Sequence, residues 1–184
     1  DYYNVIYTTF RNSIDKRTSS TDRQIGCLLS GGLDSSIVAA LVSKNVEGLN
    51  TFSIGLEGSP DILNARVVAN HIKSIHHEVI LSEADFFRAI PKVIETIESY
   101  DVTTVRASVG NYLIAKYIAE NTECKVIFNG DGSDEVMGGY LYFLKCPNEL
   151  GFDLECRRLI NNIHYFDVLR SDRCISGHGL EPRT

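Results

Sequence analysis

Four short β-prone runs, Ile25 to Leu29, Asn50 to Leu56, His77 to Leu81 and Lys125 to Phe128, are separated by longer segments whose apolar residues recur three or four apart. This alternation constrains the fold more than any other feature. Strands joined through helices run parallel, and a parallel sheet has to be covered on its faces. The expected fold is therefore α/β, a doubly wound parallel sheet with helices on both faces. The 184 residues are enough for one sizeable core, so residues 1–184 read as a single domain.

The helical segments follow from period and punctuation. The first is expected over Asp34 to Lys44, with Ile37, Val38, Leu41 and Val42 on one face and Gly48 beyond its end. A second starts at Ser59-Pro60, with serine as N-cap and proline at the first helical position, and runs to about Ile72. A third spans Glu83 to Glu98 and is expected to bend at Pro91. "YDVTTVRAS", Tyr100 to Ser108, breaks the period and reads as a loop before a helix over Val109 to Asn121. A last helix is expected from Leu154 to Arg170, with Leu159, Ile163 and Phe166 on its apolar side.

Two loops follow strand-like runs and carry unusual chemistry. In "CLLSGGLDSSIV", Cys27 to Val38, two glycines allow a tight turn in which successive N–H groups point into one concavity, backed by a helix N-terminus. That is an anion site, and Ser30, Ser35 and Ser36 add hydroxyls. Asp34 would repel the same anion unless a hard cation such as Mg²⁺ lies between them. The same residues also read as a plain tight turn with Asp34 as helix N-cap. The second loop, "NGDGSDEVMGGY", Asn129 to Tyr140, places Asp131, Asp134 and Glu135 after the fourth run. It reads either as a solvated acidic turn or, if strand order reverses between the first and fourth strands, as the opposite wall of one crevice.

Composition excludes some functions. A net charge of −6, with no basic cluster longer than Arg157-Arg158, argues against a nucleic-acid partner. Five widely spaced cysteines without a C-x-x-C pair point to reduced thiols and a cytoplasmic protein, not a disulfide frame or zinc site. No run approaches the length of a membrane span. The chain opens at Asp1 and closes at "GLEPRT", and reads as a piece of something longer.

"SGGLDSS" after an apolar strand resembles the pyrophosphate loop of the ATP pyrophosphatases, which cleave ATP between its α and β phosphates. "TFSIGLEGSPD", "YDVTTVRAS", "GDGSDEVMGGYLYF" and "GHGLEPR" follow it in the order found in the synthetase domain of the glutamine-hydrolysing asparagine synthetase family. The resemblance implies an adenine nucleotide alpha hydrolase-like (HUP-type) fold and ATP-dependent amidation of aspartate by ammonia through a β-aspartyl adenylate. It also implies a glutaminase domain in the full-length protein, without fixing its oligomeric state. On this resemblance Leu28, Ser30, Gly31, Gly32, Ser35, Ile54, Asn129 and Gly130 contact ATP, and Asp34 and Asp134 hold Mg²⁺. Thr103, Thr104 and Arg106 approach the pyrophosphate and the reacting carboxylate. Asp131 stands where the family's "SGEGSDE" has glutamate, and Asn129 where it has serine, so the carboxylate assigned to adenylate formation is one methylene shorter here. The resemblance also covers a β-lactam-forming synthetase on the same scaffold, or a nucleotide-binding fragment without catalysis.

Other prominent residues read as structural. His76 and His77 lack metal-ligand companions. Tyr140, Tyr142 and Phe143 read as packing, and Cys27 as a buried strand residue.

Overall fold

The computed structural model describes residues 1–165 and 167–184. Five parallel strands form one sheet in the order β3-β2-β1-β4-β5: β1 Gln24–Leu28, β2 Asn50–Gly55, β3 Ile75–Ile80, β4 Cys124–Phe128 and β5 Glu181–Arg183. The helices are α1 Tyr2–Ser19, α2 Leu33–Val42, α3 Pro60–Ile72, α4 Glu83–Ile97, α5 Val102–Asn121, α6 Ser133–Met137, α7 Glu149–Asn162 and α8 Asp167–Ser176.

The strands alternate their side chains between two cores. Ile25, Cys27, Val126 and Phe128 pack with Ile14 of α1, Val38 and Leu41 of α2, and Ala65 and Ala69 of α3. Phe52 and Ile127 face the other way, onto Ile114, Ala115 and Ile118 of α5 and Ile175 of α8. A third cluster joins α4, α5 and α8 through Val93, Ile97, Val109 and Cys174. Burial of each large side chain contributes about 1.5–3 kcal/mol, so the central strands β1 and β4, covered on both faces, anchor the domain. The expected α/β class and the reversal between strands one and four are both observed. That reversal places the loops after β1 and β4 side by side.

Several expectations change. "YDVTTVRAS" is not a loop: Asp101 caps α5 by accepting from the N–H and hydroxyl of Thr104, both at 2.8 Å, and the helix runs unbroken from Val102 to Asn121. Threonines that break an apolar period still fit a helix start when an aspartate precedes them. The last helix divides into α7, a 3-10 turn over Ile163–Tyr165, and α8; Phe166 lies outside the described residues. Ser59 precedes α3, but its hydroxyl makes no cap bond and is buried without a partner. Pro91 lies in the middle of α4, which continues through it, and its i−4 residue, Phe87, is exposed. Two elements have no counterpart in the periodicity: α1, which buries Ile14 alone, and the three-residue β5. Among the described residues no helix is long and apolar enough to cross a membrane.

Candidate functional site

The β1–α2 turn is built by two glycines with different duties. Gly31 has φ of +78°, and a Cβ there would lie 2.4 Å from the Asn64 backbone, so only glycine lets the turn pass α3. Gly32 is the N-cap of α2, and Asp34 sits in its first turn; the N-cap reading of Asp34 is therefore replaced by Gly32. The turn's hydrogen bonds are internal. Ser30 N donates to Ser35 Oγ at 3.2 Å, Gly32 N donates to Ser30 Oγ at 3.3 Å, and Ser36 Oγ donates to Gly32 O at 2.5 Å. Serine hydroxyls thus meet N–H groups where a phosphate oxygen would offer a charged acceptor.

The second wall comes from the loop after β4. A Cβ on Gly130 would lie 2.9 Å from Ser35 N and 3.1 Å from Asp34 C, so the two loops touch backbone to backbone. Asn129 N donates to Arg183 O at 3.2 Å, and Asn129 Oδ1 accepts from Asp131 N at 3.2 Å. These bonds tie the loop to β5 and fold it back on itself. Gly132, at φ +91°, then starts α6, which carries Asp134 and Glu135.

Together these elements enclose a cleft of about 260 Å³, lined by Leu28, Ser30, Asp34 and Ser35 on one side and by Asn129 through Glu135 on the other. Of the residues singled out by sequence, Leu28, Ser30, Asp34, Ser35, Asn129, Gly130, Asp131 and Asp134 line it. Gly31 and Gly32 shape the turn behind it. Ile54 is the penultimate residue of β2, and its Cγ2 lies 4.0 Å from a Cβ placed on Gly110 of α5. Thr103, Thr104 and Arg106 stand on the first two turns of α5, outside the cleft lining, with Thr103 and Arg106 exposed.

Charge in the cleft is unevenly satisfied. Asp34 and Asp134 have neither a hydrogen bond nor an ion pair for their carboxylates among the described residues. Burial pushes the Asp131 carboxyl above its ordinary pKa; the hydroxyl of Ser171 and the charge of Arg170, both on α8, act against that, and Glu135 adds to it. Glu135 is only 2% exposed; its Oε1 accepts from the Tyr140 hydroxyl at 2.5 Å, and its Oε2 is buried without a partner. Burial first, and then Glu135, push the Tyr140 phenol upward. Asn129 Nδ2 is likewise buried and unpartnered. Buried groups left this way cost about 1–3 kcal/mol each, and two of the three such side-chain atoms among the described residues, all but Ser59 Oγ, lie in the cleft lining.

The donor set suits a hard divalent cation. No three His, Cys, Asp or Glu side chains among the described residues converge as a cation cage. Mg²⁺ does not need one, because it is commonly held by one or two carboxylates together with substrate phosphates, and Asp34 and Asp134 offer two.

Asn111, Gly132 and Ser133 line the cleft as well, beside Glu135, which the acidic loop placed on this wall without a role of its own. Glu135 was visible in the motif. Asn111 carried no local signal, since it lies mid-helix on α5. The remaining residues are structural, as expected. His76 bonds Thr51 and Ser53, and His77 bonds Asn50 and stacks on Phe52. Burial lowers the pKa of both imidazoles. Cys27 is fully buried, with its thiol pKa raised by that burial. Tyr140, Tyr142 and Phe143 form a stacked series, and Phe143 packs on Phe152.

Residues 6–153 match the model of the asparagine synthase family. The chain is 53% identical over 180 residues to the glutamine-hydrolysing asparagine synthetase of Bos taurus and 52% identical to that of Homo sapiens, in each case over 95% of this chain and 32% of the relative. The Gallus gallus enzyme of the same name is 50% identical over 97% of this chain and 33% of its own length. The chain thus spans about a third of the length of the curated relatives it matches. Among solved structures, an NH3-dependent NAD synthetase from Campylobacter jejuni superposes with a TM-score of 0.53 at 12% identity, over 96% of this chain and 91% of that one. An NMN synthetase from Francisella tularensis gives 0.50 at 15% identity, over 71% of this chain and 56% of that one. At such identities the likeness speaks for the fold alone.

Proposed function

Because the chain belongs to the asparagine synthase family, we propose that it carries the synthetase chemistry of its relatives: ATP activates the side-chain carboxylate of aspartate, pyrophosphate leaves, and ammonia displaces AMP to give asparagine. The observation that carries this reading is the backbone contact between the β1 and β4 loops at Gly130 and Ser35, which joins an anion-binding turn and a carboxylate loop in one cleft.

In this reading Ser30, Gly31, Gly32 and Ser35 bind the polyphosphate through N–H and hydroxyl donors. Leu28, Ile54, Asn129 and Gly130 contact the nucleoside and α-phosphate. Asp34 and Asp134 hold Mg²⁺, which would supply charge neutralisation at the departing pyrophosphate. Asp131 faces the reacting carbonyl and the incoming ammonia, fixed by Asn129 from one side and Ser171 from the other. Thr103, Thr104 and Arg106 bind pyrophosphate from α5, where a planar guanidinium suits phosphate oxygens. The relatives are named as glutamine-hydrolysing, and in this reading a glutaminase domain of a longer protein supplies the ammonia. Residues 1–184 constitute one part of the synthetase domain. The five free cysteines favour a reducing, cytoplasmic setting.

ATP–pyrophosphate exchange with Mg²⁺, with and without aspartate, tests the reading beside an Asp34→Ala variant. Exchange that requires both aspartate and Asp34 is the expected result. Nucleotide binding without exchange would instead favour a non-catalytic fragment, and exchange supported by another carboxylic acid added in place of aspartate would favour a different acyl substrate.

A further inference from the structure

The two walls of the cleft differ in what they offer a nucleotide. Asp34, Asp131, Asp134 and Glu135 make one part strongly anionic, fit for a cation and its phosphates and unfit for a bare purine. The remaining lining contains one aliphatic side chain, Leu28 at the end of β1, and one amide on a separate element, Asn111 of α5. Asn111 is half-buried, and its side chain makes no hydrogen bond among the described residues. Its position is set by packing: the preceding residue, Gly110, faces Ile54, so this turn of α5 lies over the end of β2, beside the end of β1.

We infer that Asn111 reads the nucleobase, its amide pairing with the N6 amino group and N7 of adenine while Leu28 packs against the ring. An amide presents one donor beside one acceptor, which matches the adenine N6/N7 edge; guanine offers two acceptors on that edge, O6 and N7. The anionic wall is thereby left to the polyphosphate, and the base lies toward α5. This inference rests on the proposed use of the cleft for ATP. It adds a determinant of nucleotide choice beyond the strand-end contact at Ile54.

Equilibrium binding of ATP, 7-deaza-ATP, GTP and inorganic tripolyphosphate to the chain, to Asn111→Leu and to Asn111→Asp provides the test. Asn111→Leu removes both halves of the amide at similar volume, Asn111→Asp removes the donor and adds a negative charge, and circular dichroism melts verify that each variant is folded. The wild-type chain is expected to prefer ATP over both GTP and 7-deaza-ATP by about fivefold or more, the lower end of what a bidentate base contact discriminates. Asn111→Leu should erase the preference over 7-deaza-ATP, narrow that over GTP by about fivefold and leave tripolyphosphate affinity within twofold, whereas Asn111→Asp, which adds a carboxylate to an anionic cleft, should weaken ATP and tripolyphosphate together. An unchanged ATP-to-GTP ratio in folded Asn111→Leu would overturn the inference and leave the ATP site standing. A wild-type chain that binds tripolyphosphate but no nucleotide would overturn both.

Discussion

The two loops that meet at the cleft are finished differently. The β1–α2 turn is largely exposed, and its N–H groups find partners in neighbouring serines. The β4–α6 loop is half-buried, is tied to β5 and α8, and with the start of α6 retains two polar atoms without partners, on the buried Asn129 and Glu135 side chains, Nδ2 and Oε2. The first exchanges weak local hydrogen bonds, or water, for a ligand at small cost. The second keeps two desolvated polar atoms at a cost of about 1–3 kcal/mol each, which a bound partner would offset. In the proposed reading, recognition of anions is a local property of the turn, whereas reactivity depends on how the loop is held in the fold.

The largest effect is expected where the loops touch. Gly130→Ala would drive a Cβ against the Ser35 and Asp34 backbones, which cannot swing aside as a side chain would. A loss of about 1–3 kcal/mol in urea unfolding is expected. Exchange activity should fall by about a hundredfold, because displacements near 1 Å are that costly to aligned groups. Near-normal exchange would show that the walls act independently.

A smaller contrast separates the loops themselves. Tyr140→Phe removes the donor to buried Glu135 and should cost about 1–3 kcal/mol in urea unfolding. Ser35→Ala removes hydroxyl contacts at an exposed turn that water can replace, and should stay within about 0.5 kcal/mol while weakening tripolyphosphate binding. Equal costs would erase the distinction between a solvated and a buried wall.

The smallest effect concerns pH. The folded-state pKa of Asp131 is raised by burial, so ionisation above it opposes folding, and protonation relieves this as pH falls through the folded value toward the unfolded one. Asp131→Asn is therefore expected to be more stable than wild type at neutral pH, with the difference shrinking as pH falls through the raised folded value and gone once pH is below the ordinary aspartate range. Melting both proteins between neutral pH and pH 3 measures it. A difference that grows on acidification would mean that Ser171 and Arg170 outweigh burial.

Much of this was readable locally. All four β-prone runs are strands to within two residues at either end, because β1, β2 and β4 are buried enough to demand near-continuous apolar sequence. The glycines and aspartates of both loops were visible because their conformational and charge requirements act over a few residues. α1 was not legible: it is exposed over most of its length and has only a weak apolar stripe. β5 is too short to carry a period. The Thr103 to Arg106 segment was misread as a loop because the capping of Asp101 outweighed an irregular pattern.

The sequence by itself determined the α/β class, the sharp turn at Gly31 and the cluster of carboxylates after β4, since backbone freedom, alternation and local charge are short-range properties. Only the tertiary structure decided that Gly130 lies against Ser35, that Glu135 and Asn129 keep unpartnered polar atoms, and that Asn111 enters the cleft. Those facts arise from strand order and helix packing across more than 90 residues of chain between Ser35 and Gly130, and burial is a property of the folded surroundings that no local window contains.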